Sequence, residues 1–124
     1  MSYPVVTPEI VAEFNDTYAP TLSVWNSYIE DICWEESDEF KDVVDYIKTY
    51  CKPRKTLYWK YTSYGLKHRI EQIRKAKGAK NSYVHNEMVM FAAVLLGYKL
   101  KTFPGNPNVK FYWSDALYDR ELAA

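Results

Sequence analysis

From residue 88 to residue 96 the chain reads Met-Val-Met-Phe-Ala-Ala-Val-Leu-Leu, without one polar position. A helix apolar all round has no face to give to water and must be buried, and this run is too short to cross a membrane. Asn86 is placed to accept a first-turn N–H, Glu87 suits the positive end of the helix dipole, and Gly97 can close the helix in a left-handed conformation. The other segments are patterned to pack around this post. Thr7-Pro8-Glu9 starts a helix with Ile10, Val11 and Phe14 on one stripe, ending near Pro20. Leu22, Trp25, Ile29 and Ile32 predict a second helix, and an acidic turn over residues 34–39 follows. Ser37 caps a third helix whose stripe is Phe40, Val43, Val44, Ile47 and Tyr50 or Cys51, broken by Pro53. Leu57, Trp59 and Tyr61 alternate as a short strand would, although a helical extension fits as well. Thr62 or Ser63 opens a fourth helix with Leu66, Ile70 and Ile73 inside, closed by Gly78.

Beyond Gly97 the period changes to two. Tyr98, Leu100 and Thr102 alternate with Lys99, Lys101 and Phe103; Pro104-Gly105-Asn106-Pro107 signals a turn; Val109, Phe111 and Trp113 alternate with Lys110 and Tyr112. This predicts a hairpin, and Ser114-Asp115 then caps a last helical turn through Leu117 and Leu122. The expected fold is mainly α with a C-terminal β-hairpin (α+β): a single domain over 1–124, built on a buried central helix 87–96, with a winged-helix-like C-terminal half.

A composition of 48% apolar and 17% aromatic residues supports one buried core in a chain of this length and excludes wholesale disorder. Two cysteines give no disulfide framework, and no leader or transmembrane pattern opens the chain, so a reducing, cytoplasmic setting is expected, inside a host cell. The formal net charge of zero conceals a division. Residues 1–50 hold eleven acidic side chains against Lys41 and Lys48, whereas residues 52–110 hold thirteen Lys or Arg against Glu71 and Glu87. An acidic helical half (1–51) thus precedes a basic helix-helix-hairpin half (52–124), an asymmetry that points to a polyanion-binding face or to two lobes that attract each other.

The strings SYGLKH (63–68), YVHNEMVMFAAVLLGY (83–98) and NVKFYWS (108–114) resemble a family of small proteins from bacteriophages and other mobile elements. The motifs are structural, and the chain departs from the pattern at Glu87, where glycine is usual. The resemblance implies a viral or mobile-element origin and no activity.

For phosphate contacts the sequence offers Lys52, Arg54 and Lys55 in one loop, Lys67, Arg69, Arg74, Lys75 and Lys77 on the fourth helix, and Lys99, Lys101 and Lys110 on the hairpin. Tyr58, Trp59, Tyr61 and Tyr64 stand nearby to stack on exposed bases. The central helix is too apolar to read base edges in a major groove. The alternative is a host-protein inhibitor presenting Asp31, Glu35, Glu36, Asp38, Glu39, Asp42 and Asp45 to a basic partner. No metal or other cofactor is expected: Cys33, Cys51, His68 and His85 lack the close ligand pairs of zinc sites, and both cysteines look like small core residues. Glu39-Phe40-Lys41 has the form of a nuclease Glu-x-Lys, but on a helix with Phe40 inward its carboxylate cannot converge with others on a metal. The chain is expected to be a non-enzymatic binder with nucleic acid or a host protein as partner, no membrane association, and self-association left open.

Overall fold

The computed structural model describes residues 3–18 and 32–123. Thr7 accepts the N–H of Ile10 at 3.2 Å and starts α1 (Pro8–Tyr18), which buries Val11 and Phe14. The helix expected over residues 22–32 falls almost wholly on residues 19–31, outside the described ones. Trp34–Glu36 form a single 3-10 turn, and the Ser37 hydroxyl accepts the N–H of Phe40 at 3.1 Å to open α2 (Asp38–Tyr50). The third-helix stripe is as expected: Phe40, Val43, Val44 and Ile47 are buried, with Tyr46 beside them.

Proline ends α2, but the residues before it do not form a loop. Cys51–Pro53 make a short strand, β1. Residues 57–61 are neither strand nor helix. Their burial comes instead from Tyr58 and Tyr61, whose rings meet at 4.8 Å and enter the core individually. Next come α3 (Ser63–Ala76) and α4 (Asn86–Leu95), closed by Gly78 at φ 84° and Gly97 at φ 92°. At the start of α4, Asn86 is not the cap: His85 occupies that position, and the Asn86 amide donates to Pro107 O and Asn108 Oδ1, tying the helix to the hairpin. Met88 to Ala93 are fully buried, as an all-apolar helix requires, whereas residues 94–96 at its end are half-covered.

The hairpin is β2 (Leu100–Phe103) and β3 (Asn106–Phe111), turning at Gly105 with φ 72°. Sequence alternation did not reveal that the same strand goes on. After a bend at Tyr112 it continues as β4 (Trp113–Asp115), antiparallel to β1 with Cys51 opposite Asp115. Tyr112 is the pivot: its N–H donates to Lys99 O at 3.2 Å, and its C=O accepts from Arg54 N–H at 3.2 Å. Asp115 then accepts the N–H of Tyr118 and begins α5 (Ala116–Ala123).

The inner face of the 106–115 segment carries Val109, Phe111 and Trp113, all inaccessible, with the last two rings stacked at 4.1 Å. Ser63, at the start of α3, accepts the Val109 N–H at 3.0 Å and fixes the hairpin to the helices. The molecule is therefore mixed α and β, five α-helices with two small antiparallel sheets among the described residues. No described helix is long and apolar enough to cross a membrane.

Candidate nucleic-acid interface

Alternation along β3 and β4 turns Lys110, Tyr112 and Ser114 away from the core, each flanked by a buried residue. Their cross-strand neighbours share that outer face. Lys101 lies directly opposite Lys110, and Lys52 opposite Ser114. The backbone bonds of Tyr112 set Lys99 on one side of it and Arg54 on the other. The outer sides of the two small sheets, which meet at Tyr112, thus carry cations on three strands. Beside them opens a groove of about 870 Å³, walled by Arg54, Lys55, Lys99, Tyr18, Tyr98 and Tyr112, with no carboxylate among the described residues that line it.

The electrostatics of this face are uncompensated. No carboxylate among the described residues pairs with Lys52, Lys55, Lys99 or Lys101. Two lysines directly opposite each other on a sheet repel, and the Lys101–Lys110 rung is relieved only in part. Lys110 leans away, donating to Trp59 O at 3.1 Å with its ammonium 4.6 Å from the Trp59 ring centre. Arg54 bends back to donate to Thr56 O and Leu57 O, so it supplies charge with fewer free donors. Tyr98 is held as a wall: its hydroxyl donates to Cys51 O at 3.0 Å, and burial raises the pKa of that phenol.

The basic helix is different. Lys67 is 5% exposed, bonded to Glu71 at 3.0 Å, with its ammonium over the rings of Tyr64 and Tyr83. Arg74, equally buried, pairs with Asp42 of α2 at 2.7 Å and donates to Asn81 O; Lys77 reaches the same carboxylate at 3.1 Å. Arg69 pairs with Glu121 of α5. Lys67, Arg69 and Arg74 are tied into the fold, a correction to their expected place at an interface; Lys77, just past α3, is paired but 60% exposed, and Lys75 is exposed with no ion pair among the described residues. Tyr58 and Tyr61 are also removed from any stacking surface, because both are buried and donate to Asp119 (2.6 Å) and Asp115 (2.5 Å). Tyr64 is exposed on α3, edge-on to His68 at 4.4 Å. Trp59, 64% exposed, is the one expected stacking ring that adjoins the sheet face.

The acidic face is similarly reduced. Glu39 accepts the His85 N–H at 2.7 Å, Asp42 holds Arg74 and Lys77, and Asp45 accepts the Tyr3 hydroxyl at 3.1 Å. Glu35, Glu36 and Asp38 remain exposed, while Asp31 lies outside the described residues. With Glu39 held by His85, the Glu-x-Lys pattern gathers no second carboxylate among the described residues. Cys33 is exposed rather than in the core, because residues 32 and 33 are not helical. Cys51 is buried, and desolvation raises its thiol pKa, which keeps it a poor nucleophile. No group of three His, Cys, Asp or Glu among the described residues is arranged to hold a metal ion.

Tyr98 and Tyr112 were missed as groove residues although their strand alternation was legible; Tyr18 reaches the groove from α1, and nothing local to it signals this. Comparison of the chain with protein-family models, curated proteins and solved structures found no match.

Proposed function

We propose that this chain is a non-enzymatic binding protein of phage or mobile-element type whose basic C-terminal half engages nucleic acid through phosphate contacts. The observation that carries the reading is the outer side of the two sheets and the adjoining groove, where Lys52, Lys55, Lys99 and Lys101 have no carboxylate partner among the described residues and two lysines occupy one rung. A polyanion would relieve that repulsion and release counterions. The order helix, helix, hairpin keeps a winged-helix-like arrangement within this reading, with the hairpin as the contacting element because α4 is buried. The rival reading, an inhibitor presenting acids to a basic host protein, has less support, since of the acids expected to carry it Glu39, Asp42 and Asp45 are engaged within the fold, leaving Glu35, Glu36 and Asp38 exposed among the described ones.

The test is binding to fluorescein-labelled oligonucleotides over a series of KCl concentrations. With four phosphates neutralised on a single strand, the logarithm of affinity should fall with the logarithm of salt at a slope of about −3. Charge reversal at Lys99 and Lys101 should flatten it. Absence of binding at the lowest salt would end this reading and move the search to Glu35, Glu36 and Asp38 as a protein-docking site.

A further inference from the structure

We infer that the polynucleotide this face takes is single-stranded, with bases stacked on Tyr112 and Trp59; the inference rests on the proposed function and specifies its ligand. A helical duplex reader lays a helix with free polar side chains in the major groove. Here α4 is enclosed, and α3 has committed Lys67, Arg69, Arg74 and Lys77 to carboxylates. What remains is a shallow sheet face with aromatic rings set between cations. Outward positions along a strand recur every second residue, about 7 Å apart, close to the phosphate repeat of an extended polynucleotide. Lys110 with Lys101 before the bend at Tyr112, and Ser114 with Lys52 after it, therefore flank that ring with contacts on both sides, along which a single strand can lie.

The rings carry the distinction. In a duplex each base is covered above and below by its neighbours, so an exposed aromatic ring beside the phosphate contacts gains nothing. An open strand offers its bases to such rings. Tyr112 sits at the pivot between Lys99 and Arg54, on the groove wall. Trp59 is largely exposed, and Lys110 fixes it twice, by the bond to its carbonyl and by the ammonium over its ring. A surface tryptophan held in place in this way is pre-ordered for stacking, which lowers the entropy lost on binding.

Fluorescence anisotropy with oligothymidine and oligouridine of about twelve nucleotides, within the site sizes of sheet-based single-strand binders, and with a duplex of the same length, tests this on the full chain. Both single strands should bind at least tenfold more tightly than the duplex. Trp59→Ala should lower single-strand affinity about tenfold without altering the salt slope, and Trp59→Phe should restore most of it. Lys99→Ala and Lys101→Ala should each flatten the slope by about 0.7. Because Trp59 is exposed, its variants test stacking even if Tyr112→Ala fails to fold. Duplex binding equal to or tighter than single-strand binding, or an unaffected Trp59→Ala, would overturn the inference while leaving the phosphate-contact reading intact. Failure to bind any of the three probes at low salt would overturn both.

Discussion

Helix α3 and the outer sheet face are both rich in lysine and arginine, yet their charges have different surroundings. On α3, Lys67, Arg69, Arg74 and Lys77 each meet a carboxylate, supplied by the same helix, by α5 or by α2. On the sheet, Lys52, Lys99 and Lys101 meet none among the described residues, and Lys101 faces another lysine. The contrast separates two uses of positive charge. Where it is buried and paired it joins elements of the fold, and where it is left exposed and crowded it does not.

The largest effect expected from breaking this contrast is on stability. Arg74→Ala takes the buried partner from Asp42 but leaves Lys77 on the same carboxylate, and unfolding in urea should show a loss of about 1–3 kcal/mol; the affinity of the remaining folded protein for an oligonucleotide should not change. A smaller and opposite pair of effects is expected at the sheet. Lys101→Glu should weaken oligonucleotide binding roughly tenfold while stabilising the fold by about 0.2–1 kcal/mol, because it converts a like-charge rung into an attractive one with Lys110. Urea melts and anisotropy on one preparation would show both. Loss of binding together with loss of stability would mean that Lys101 is structural.

Acid provides a subtler separation. Burial acts to raise the Glu71 pKa, but the bonds from the Val84 N–H and the Lys67 ammonium outweigh it and leave the group below its ordinary 4.5. A carboxylate lowered by folding contributes stability above its unfolded value and loses it as pH falls through the folded one. Stability should therefore decline below about pH 4.5, and Glu71→Gln should remove that part of the decline in pH-dependent melts. The smallest effect belongs to Lys75→Glu, exposed on α3 with no partner, which should stay within about 0.5 kcal/mol of the parent and bind oligonucleotides almost as well. A tenfold loss there would return α3 to the interface.

Much of the fold was legible because it is written in local periodicity: the Ser37 cap and the Phe40 to Ile47 stripe, the apolar α4, and the alternation of Val109, Phe111 and Trp113. Strand β1 was not, because three residues ending in proline carry no pattern of their own and become a strand only against Trp113 to Asp115. Alternation of Leu57, Trp59 and Tyr61 suggested a strand, whereas Tyr58 and Tyr61 enter the core from irregular backbone and satisfy their hydroxyls on Asp119 and Asp115. The candidate site was half legible. Its lysines on the loop and hairpin have no carboxylate partner among the described residues, but segment charge cannot tell such a cation from one that meets Asp42, 32 residues earlier in the chain, as Arg74 does.

Asp115 accepts the hydroxyls of Tyr46 and Tyr61 as well as capping α5, and it lies 69 residues beyond Tyr46. Closing so long a loop delays the contacts that depend on it and slows folding. On the ribosome, α2 and β1 emerge well before the residues that complete them. Until Asp115 is available, the Tyr46 and Tyr61 hydroxyls and the open edge of β1 have no native acceptor, so a chain arrested short of it would expose an unpaired strand and two unsatisfied phenols to proteases and to other nascent chains.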